Sequence, residues 1–410
     1  MVSKLPDVLE SALDSLPESP SGSVAIARKA LTRLFFEAAK PMSEGRIFIS
    51  TGDIPAMWLR DSSFQVKPLM RFSTDRDIYA FISQVIAAQS FFISIDPYAN
   101  AFNVAPNGLC WQRDFKNQSP WVFERKWEVD SLISHLQVSI DLAEWSKKRA
   151  HLTPDWWRSI EILISTLERE QLHEPASYRF LRKEVPAHDY LSHDGYGSPF
   201  KSEGLVWSAF RPSDDACSLP FNIPQNAYAA AQLKRFAALP DNYLATRALK
   251  LSQEISDAIT RFGTNDGIYA YEVDCLGNQL FMDDANIPSL LSLPYLGFGS
   301  KSDPTYLKTR EYVLSKRNPW FFEGKTLGHI GSQHTGAGRI WPLAMAMEII
   351  TSESVDPIML AKLADTASSN GALHESIAVD DPSDFTREWF SWAEMTFVDA
   401  LFSVNESMSN

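Results

Sequence analysis

The chain has 410 residues, enough for two or three average domains or for one large helical barrel. A hydrophobic fraction of 45%, with 12 Trp, 12 Tyr and 25 Phe, supplies a sizeable core and leaves aromatic rings to line a groove. The formal net charge of −13 argues against nucleic acid and against an anionic membrane surface, and fits a neutral ligand better.

In chain order, residues 1–22 intersperse prolines with serines and read as a flexible arm ahead of a single domain over 23–410. The arm lacks a basic start followed by an apolar run of about 7–15 residues, so no signal peptide is expected. No segment reaches about 18 consecutive apolar residues. The chain therefore reads as soluble and intracellular, with no membrane segment. Helical periodicity follows over 24–37, then over 78–92 behind Ser73 as a cap. Further stripes run through 132–143, 156–167, 226–238 and 244–262, the last with Asp241 placed to cap it. The segments 341–350, with Pro342 near its first turn, 357–367 and 389–402 complete the pattern. Strand signals are short, at 46–50, 267–273 and 280–282. Eleven or twelve helices joined by long polar connections place the chemistry on the connections.

Three of those connections carry it. Thr51-Gly-Asp-Ile-Pro-Ala-Met-Trp-Leu-Arg-Asp-Ser-Ser63 sets Trp58, Arg60 and Asp61 behind a Gly/Pro turn. An aromatic face suits the C–H side of a sugar, and a charged fork suits neighbouring hydroxyls; a buried ion pair beside a core Trp is the alternative. Arg211-Pro-Ser-Asp-Asp215 offers adjacent carboxyls. Their repulsion raises at least one pKa, as a general acid requires, and Arg211 is placed to neutralise the other. Capping of the next turn by Ser213 or Asp214 is the competing reading. His374-Glu375 supplies a further acid, which a surface pair explains equally well.

Cys110, Cys217 and Cys275 lie far apart without a CxxC, so neither a zinc site nor a disulfide framework is expected. Cys217 reads as a small buried thiol. Asp283, Asp284 and Asn286 are rich in oxygen but lack the alternating spacing of a calcium loop. Helix capping and support of the site explain them better, and neither a metal nor a cofactor is expected.

The block 51–63 resembles the N-terminal signature of glycoside hydrolase family 125, the inverting exo-α-1,6-mannosidases. Matches follow in order at 96–103, 120–132, 207–217, 281–297, 330–335 and 374–393. The resemblance implies an all-α (α/α)6 barrel, inner helices alternating with outer ones and a few short strands in the loops. It implies hydrolysis, without metal, of a non-reducing terminal α-1,6-linked mannose from a mannose-containing oligosaccharide or glycan. By motif, Asp214 corresponds to the general acid, Asp215 to its supporting partner and Glu375 to the general base. Arg60 and Asp61 match residues that hold the terminal sugar. Trp58 is a stacking platform or core wall, His334 a hydroxyl donor or a buried histidine, and Arg211 a further substrate-side candidate. Trp121, Glu124, Arg125 and Trp127 suggest a mixed structural and binding role.

The chain departs from the family pattern at Gly331-Ser-Gln-His-Thr-Gly336, where GSPHTP is usual, at 217–221 and at 107–114. These changes bear on leaving-group preference. Two rivals remain at this stage: a sugar epimerase or lyase on a similar barrel, which favours a His or Tyr base, and a carbohydrate-binding protein without catalysis.

Overall fold

The computed structural model describes residues 4–17, 22–174, 177–182, 185–354 and 357–409. Its longer helices are of two kinds. Leu59–Val66, Val129–Ser146, Ile223–Ala237 and Pro342–Thr351 are buried on nearly every side, and Ser391–Ser409 is buried through residue 402. Buried on all sides, polar residues such as Arg60, Asp130, His135 and Asn226 included, such helices belong inside a ring of others. Pro154–Glu170 and Ala245–Phe262 are amphipathic instead: Trp156, Ile160, Leu163 and Leu167 face inward from the first, Leu251, Ile255 and Ile259 from the second.

The inner helices contact one another in sequence. Helix 59–66 packs on 129–146, 129–146 on 223–237, 342–351 on 391–409, and 391–409 back on 59–66. The largely buried turn segment 282–296 also joins the inner layer, its Leu296 carbonyl accepting from Gln232 of helix 223–237 at 2.7 Å. Phe64 stacks on Tyr228, Tyr295 and Trp392, at 6.4, 6.2 and 5.7 Å between ring centres, tying four inner elements together. Outside them, helix 245–262 covers 223–237, Arg76–Ile95 covers 129–146, and Ser23–Arg33 covers 391–409. The double ring is an (α/α)6 barrel, in agreement with the expected fold class.

Local chemistry sets the helix starts. Pro occupies the first turn at 154, 224, 304 and 342, where its missing N–H costs nothing. Asp75, not Ser73, caps helix 76–95, accepting from the N–H groups of Asp77 and Ile78. Asn242, not Asp241, binds the Leu244 N–H ahead of helix 245–262, because Asp241 sits in a left-handed turn. Helix 76–95 is long and apolar enough to cross a membrane by length and composition. Its apolar face, including Ile78, Ile82, Val85, Ile86 and Phe92, is buried within the barrel.

The segment expected to be a flexible arm departs from that reading. Asp7–Asp14 is a helix whose Leu9 and Leu13, with Leu5 just ahead of its first turn, are buried in the core. Spacing of leucines by four residues makes one apolar stripe, which outweighs the flanking prolines. Residues 18–21 lie outside the described residues.

Among the described residues the strands form six sheets of two or three short members. Two frame the site. Met57–Trp58 pairs with Ala101–Phe102, which pairs with Val122–Glu124; Arg339–Ile340 pairs with Ser376–Ala378, which pairs with Phe385–Thr386.

Candidate active site

A cavity of about 350 Å³ brings together Trp58, Arg60, Asp61, Asp214, Asp215, His334 and Glu375. These come from four separate stretches of sequence. Trp58 ends a strand and Arg60 and Asp61 open the first turn of helix 59–66. Gly52 lets the preceding loop press against the C-terminal part of the barrel. Its φ is +104°, and a Cβ there would meet the Trp389 carbonyl at 2.4 Å.

Asp214 sits at the tip of a tight turn in which the Arg211 N–H donates to the Asp215 carbonyl at 2.7 Å. Its φ of +64° lies in the left-handed region, which aspartate tolerates better than most residues. The Lys126 ammonium donates to its carbonyl at 2.7 Å and fixes the turn. The carboxylate accepts from Arg60 at 3.2 Å and Asn100 at 3.3 Å. Burial raises its pKa, but the hydrogen bond shared with Glu128 and the cations Arg60, Lys126 and His334 outweigh that, holding it well below the usual carboxylate range. Glu128 moves oppositely: burial and the neighbouring Asp214 and Asp130 lift it well above the ordinary value, against the pull of Arg60.

Asp215 is fully buried, accepting from the Ser213 hydroxyl at 3.1 Å and facing His334 Nδ1 at 3.4 Å. Burial disfavours the charged form of His334, yet the Asp215 hydrogen bond and the carboxylates of Asp215, Glu375 and Asp214 raise its pKa to about 9. It is an imidazolium at neutral pH. Glu375 precedes strand 376–378; the Thr386 hydroxyl donates to it at 3.0 Å, and the Arg387 guanidinium stands 3.7 Å away. His374 does not bond to Glu375. It stacks on Phe385 and binds the Arg387 carbonyl at 2.8 Å, holding the loop on which Arg387 lies.

Arg60 is more deeply committed to protein partners than its motif suggests. Its guanidinium meets Glu128 at 2.5 Å and Asp130 at 3.0 Å as well as Asp214. Three polar atoms beside the cavity are buried without a hydrogen-bond partner: Trp58 Nε1, Arg60 Nε and Asp61 Oδ1, the last two facing each other as an ion pair at 3.6 Å. Asp61's other oxygen accepts from the Thr51 hydroxyl. Buried groups of both donor and acceptor type that lack a hydrogen bond are what a polyhydroxylated ligand completes.

Arg211 departs from the sequence expectation. It forms a buried pair with Glu272 at 2.6 Å and donates to Gln333 Oε1 at 2.9 Å. It is not among the residues lining the cavity. The guanidinium braces the 211–215 turn against the 333–335 turn, and Asp215 is satisfied by Ser213 and His334 instead. Cys217 is half-buried, less enclosed than the small buried thiol expected, and burial with the nearby Glu272 pushes its thiol well up.

Several cavity residues went unassigned in sequence. Arg387 donates to Asp53 and to the Thr51 carbonyl at 2.8 Å, closing one wall. Trp341, Phe390 and Trp392 add aromatic surface. On another wall Arg182 binds Asp114, Glu124 and Asp189 at 2.7, 2.9 and 3.0 Å. Glu124 and Lys126 thus line the cavity, whereas Trp127 is core and Arg125 pairs with Asp96. Glu124 was expected to have a mixed structural and binding role; the blocks at 120–132 and 374–393 also contained Lys126, Glu128 and Arg387, which spacing alone did not separate from structural charges. Asp283 accepts from the Leu290 and Leu291 N–H groups, and Asp284 from Ser332 and Asn286. No group of three or more His, Cys, Asp or Glu among the described residues is arranged to hold a metal ion.

The family model described as metal-independent alpha-mannosidase (GH125) matches residues 15–402. The chain belongs to the GH125 family. A GH125 chain is an α-mannosidase, a glycoside hydrolase, which sets aside the epimerase or lyase alternative. A Streptococcus pneumoniae protein of a family of metal-independent alpha mannosidases, solved as a non-productive complex with α-1,6-mannobiose, superposes with a TM-score of 0.94. It is 34% identical, over 99% of this chain and 100% of that one. The Meiotically up-regulated gene 157 protein of Schizosaccharomyces pombe is 36% identical over 390 residues, 87% of this chain and 76% of that protein. A glucoamylase from Hormoconis resinae, 12% identical over 94% of this chain and 73% of its own, has a TM-score of 0.57 and shares the fold.

Proposed function

We propose that this GH125 chain releases non-reducing terminal α-1,6-linked mannose from an oligosaccharide or glycan, with inversion. Asp214 is the general acid and Glu375 the general base. The observation that carries the reading is one small cavity lined by both carboxyls and by donors and acceptors of Trp58, Arg60 and Asp61 that lack a hydrogen-bond partner. At about 350 Å³ it stands at the low end of ligand pockets, which suits one terminal sugar. The buried Arg60–Glu128–Asp130 cluster beside it favours a closed end and hence exo action. The likeness to a relative solved with α-1,6-mannobiose supports that linkage.

In the forward direction Asp214 gives its proton to the glycosidic oxygen as the bond to the anomeric carbon breaks. Glu375 takes a proton from water, whose oxygen forms the new bond from the opposite face. The imidazolium of His334 and the atoms of Asp61 and Arg60 that lack a hydrogen-bond partner hold hydroxyls. Asp215 keeps His334 charged and oriented, and Trp58 forms a wall.

The roles separate by leaving group. Asp214→Ala is expected to cripple cleavage of α-1,6-mannobiose far more than that of a dinitrophenyl mannoside, because a phenolate leaves without a proton. Glu375→Ala is expected to depress both alike. NMR should find β-mannose as the first product of the parent enzyme. Indifference of both substrates to Asp214→Ala, or α-mannose as first product, would refute the assignment.

A further inference from the structure

One guanidinium, that of Arg60, faces four carboxyl groups: Asp61, Glu128, Asp130 and Asp214 at 3.6, 2.5, 3.0 and 3.2 Å. Lys126 and His334 offset part of the charge on Asp214, but Glu128 and Asp130, both wholly buried, share the one Arg60 guanidinium between them. Burying such charge is costly enough that one group retains a proton. The contacts indicate which. Glu128 is wholly buried. Its Oε2 accepts from Arg60 at 2.5 Å and from the Ser131 hydroxyl at 3.0 Å, as a carbonyl oxygen would. Its Oε1 has only a long contact from Asn100, 3.4 Å, through the same amide nitrogen that reaches Asp214 Oδ1, so this oxygen lies on the Asp214 side and is free to carry a hydrogen toward it. Asn100 reaches both groups, donating also to Asp214 Oδ1 at 3.3 Å, so it holds the two carboxyls in register.

We propose that Glu128 is a positioning residue that stores the catalytic proton: it and Asp214 hold one proton between them, and Glu128 passes it to Asp214 as Asp214 protonates the leaving oxygen. The inference rests on Asp214 being the general acid. It resolves a difficulty in that reading, since Asp214 alone is surrounded by Arg60, Lys126 and His334 and is held ionised. The step balances. Glu128 loses its proton to Asp214, Asp214 passes one to the glycosidic oxygen, and the departing sugar leaves as an alcohol. Glu375 gains the proton that the attacking water loses, and solvent exchange returns the pair to its starting state. The other charged or titratable groups acting on Glu128 are Arg60, Asp130 on the following helix, and Cys217 beyond the acid turn. Those acting on Asp214 from the far side are Lys126 and His334.

Glu128→Gln tests this, because the amide keeps the shape and an oxygen for Arg60 but cannot store the proton. With the carboxyl gone, Asp214 experiences only its cations and loses its proton at lower pH. The alkaline limb of kcat/KM for α-1,6-mannobiose is expected to move down by at least about one pH unit. At pH 7 the rate should fall about tenfold or more, while the dinitrophenyl mannoside changes by less than about threefold. Glu128→Asp, which keeps a carboxyl but draws it back, is expected to shift the same limb by less, and it decides the matter if the amide variant does not fold. An unmoved alkaline limb, or an equal loss on both substrates, overturns the proton store and leaves Glu128 as an anchor for Arg60. If Asp214→Ala keeps its leaving-group dependence in that event, only this inference fails. If it does not, the acid assignment itself has failed.

Discussion

At the scale of single residues, the site runs on the partition of charge among neighbours that are distant in sequence. The pair Asp214–Asp215 suggests mutual repulsion, with Arg211 as the neutralising partner. In the fold Arg211 turns to Glu272, Asp215 to His334, and Asp214 to Arg60, Lys126 and Glu128. Residue types were legible in the motif; their partners depended on loops meeting at one end of the barrel. His334 gives a measurable consequence. Its folded pKa, about 9, lies above the ordinary 6.5. The stabilisation from its charged contact with Asp215 is therefore fully present below pH 6.5 and lost as pH rises through 9. His334→Gln should lower the melting temperature at pH 6 and cost much less at pH 9.5. An equal deficit at both values would mean that the imidazole is held neutral.

Among the elements, the loop carrying Glu375 is anchored from outside the site. Arg33, at the end of helix 23–33, donates to Glu394 at 2.5 and 3.2 Å and to the Gly371 carbonyl at 2.9 Å. Glu394 is fully buried and also accepts from Trp389 Nε1 at 2.9 Å. Removing one partner of such a pair leaves a charge without compensation, so Arg33→Ala is expected to cost about 3–5 kcal/mol in urea unfolding. It should also weaken kcat, since the loop from 371 to Glu375 loses its tether. A loss under about 1 kcal/mol would show that water reaches Glu394 in the variant. Helix existence was legible here from periodicity. Caps were less so, because Ser73, Asp75, Asp241 and Asn242 all have the chemistry to start a helix and only backbone geometry selects among them. The helix at 7–14 was hidden for a related reason: prolines and serines on either side outweighed a stripe of only three leucines.

For the whole molecule, the inner ring is held along its axis by Phe64, whose ring meets aromatic side chains from three other inner elements. Phe64→Ala would open a cavity bordered by all of them, at an expected cost of about 3–5 kcal/mol with the transition remaining cooperative. If the melt instead splits into two steps, the inner ring is not one folding unit. Helix abundance was readable from the sequence, whereas closure into a ring was not. Closure depends on which buried faces meet, and periodicity says only that a face exists.

The seam between Gly52 and Phe390, bridged by Arg387 across to Asp53 and Thr51, has a consequence for the protein during its own synthesis. A nascent chain that has emerged from the ribosome only as far as residue 370 already contains Asp214, His334 and Trp341 but not Glu375, Arg387 or helix 391–409. On the proposed roles it holds the acid without the base, so a copy halted there is expected to leave α-1,6-mannobiose uncleaved.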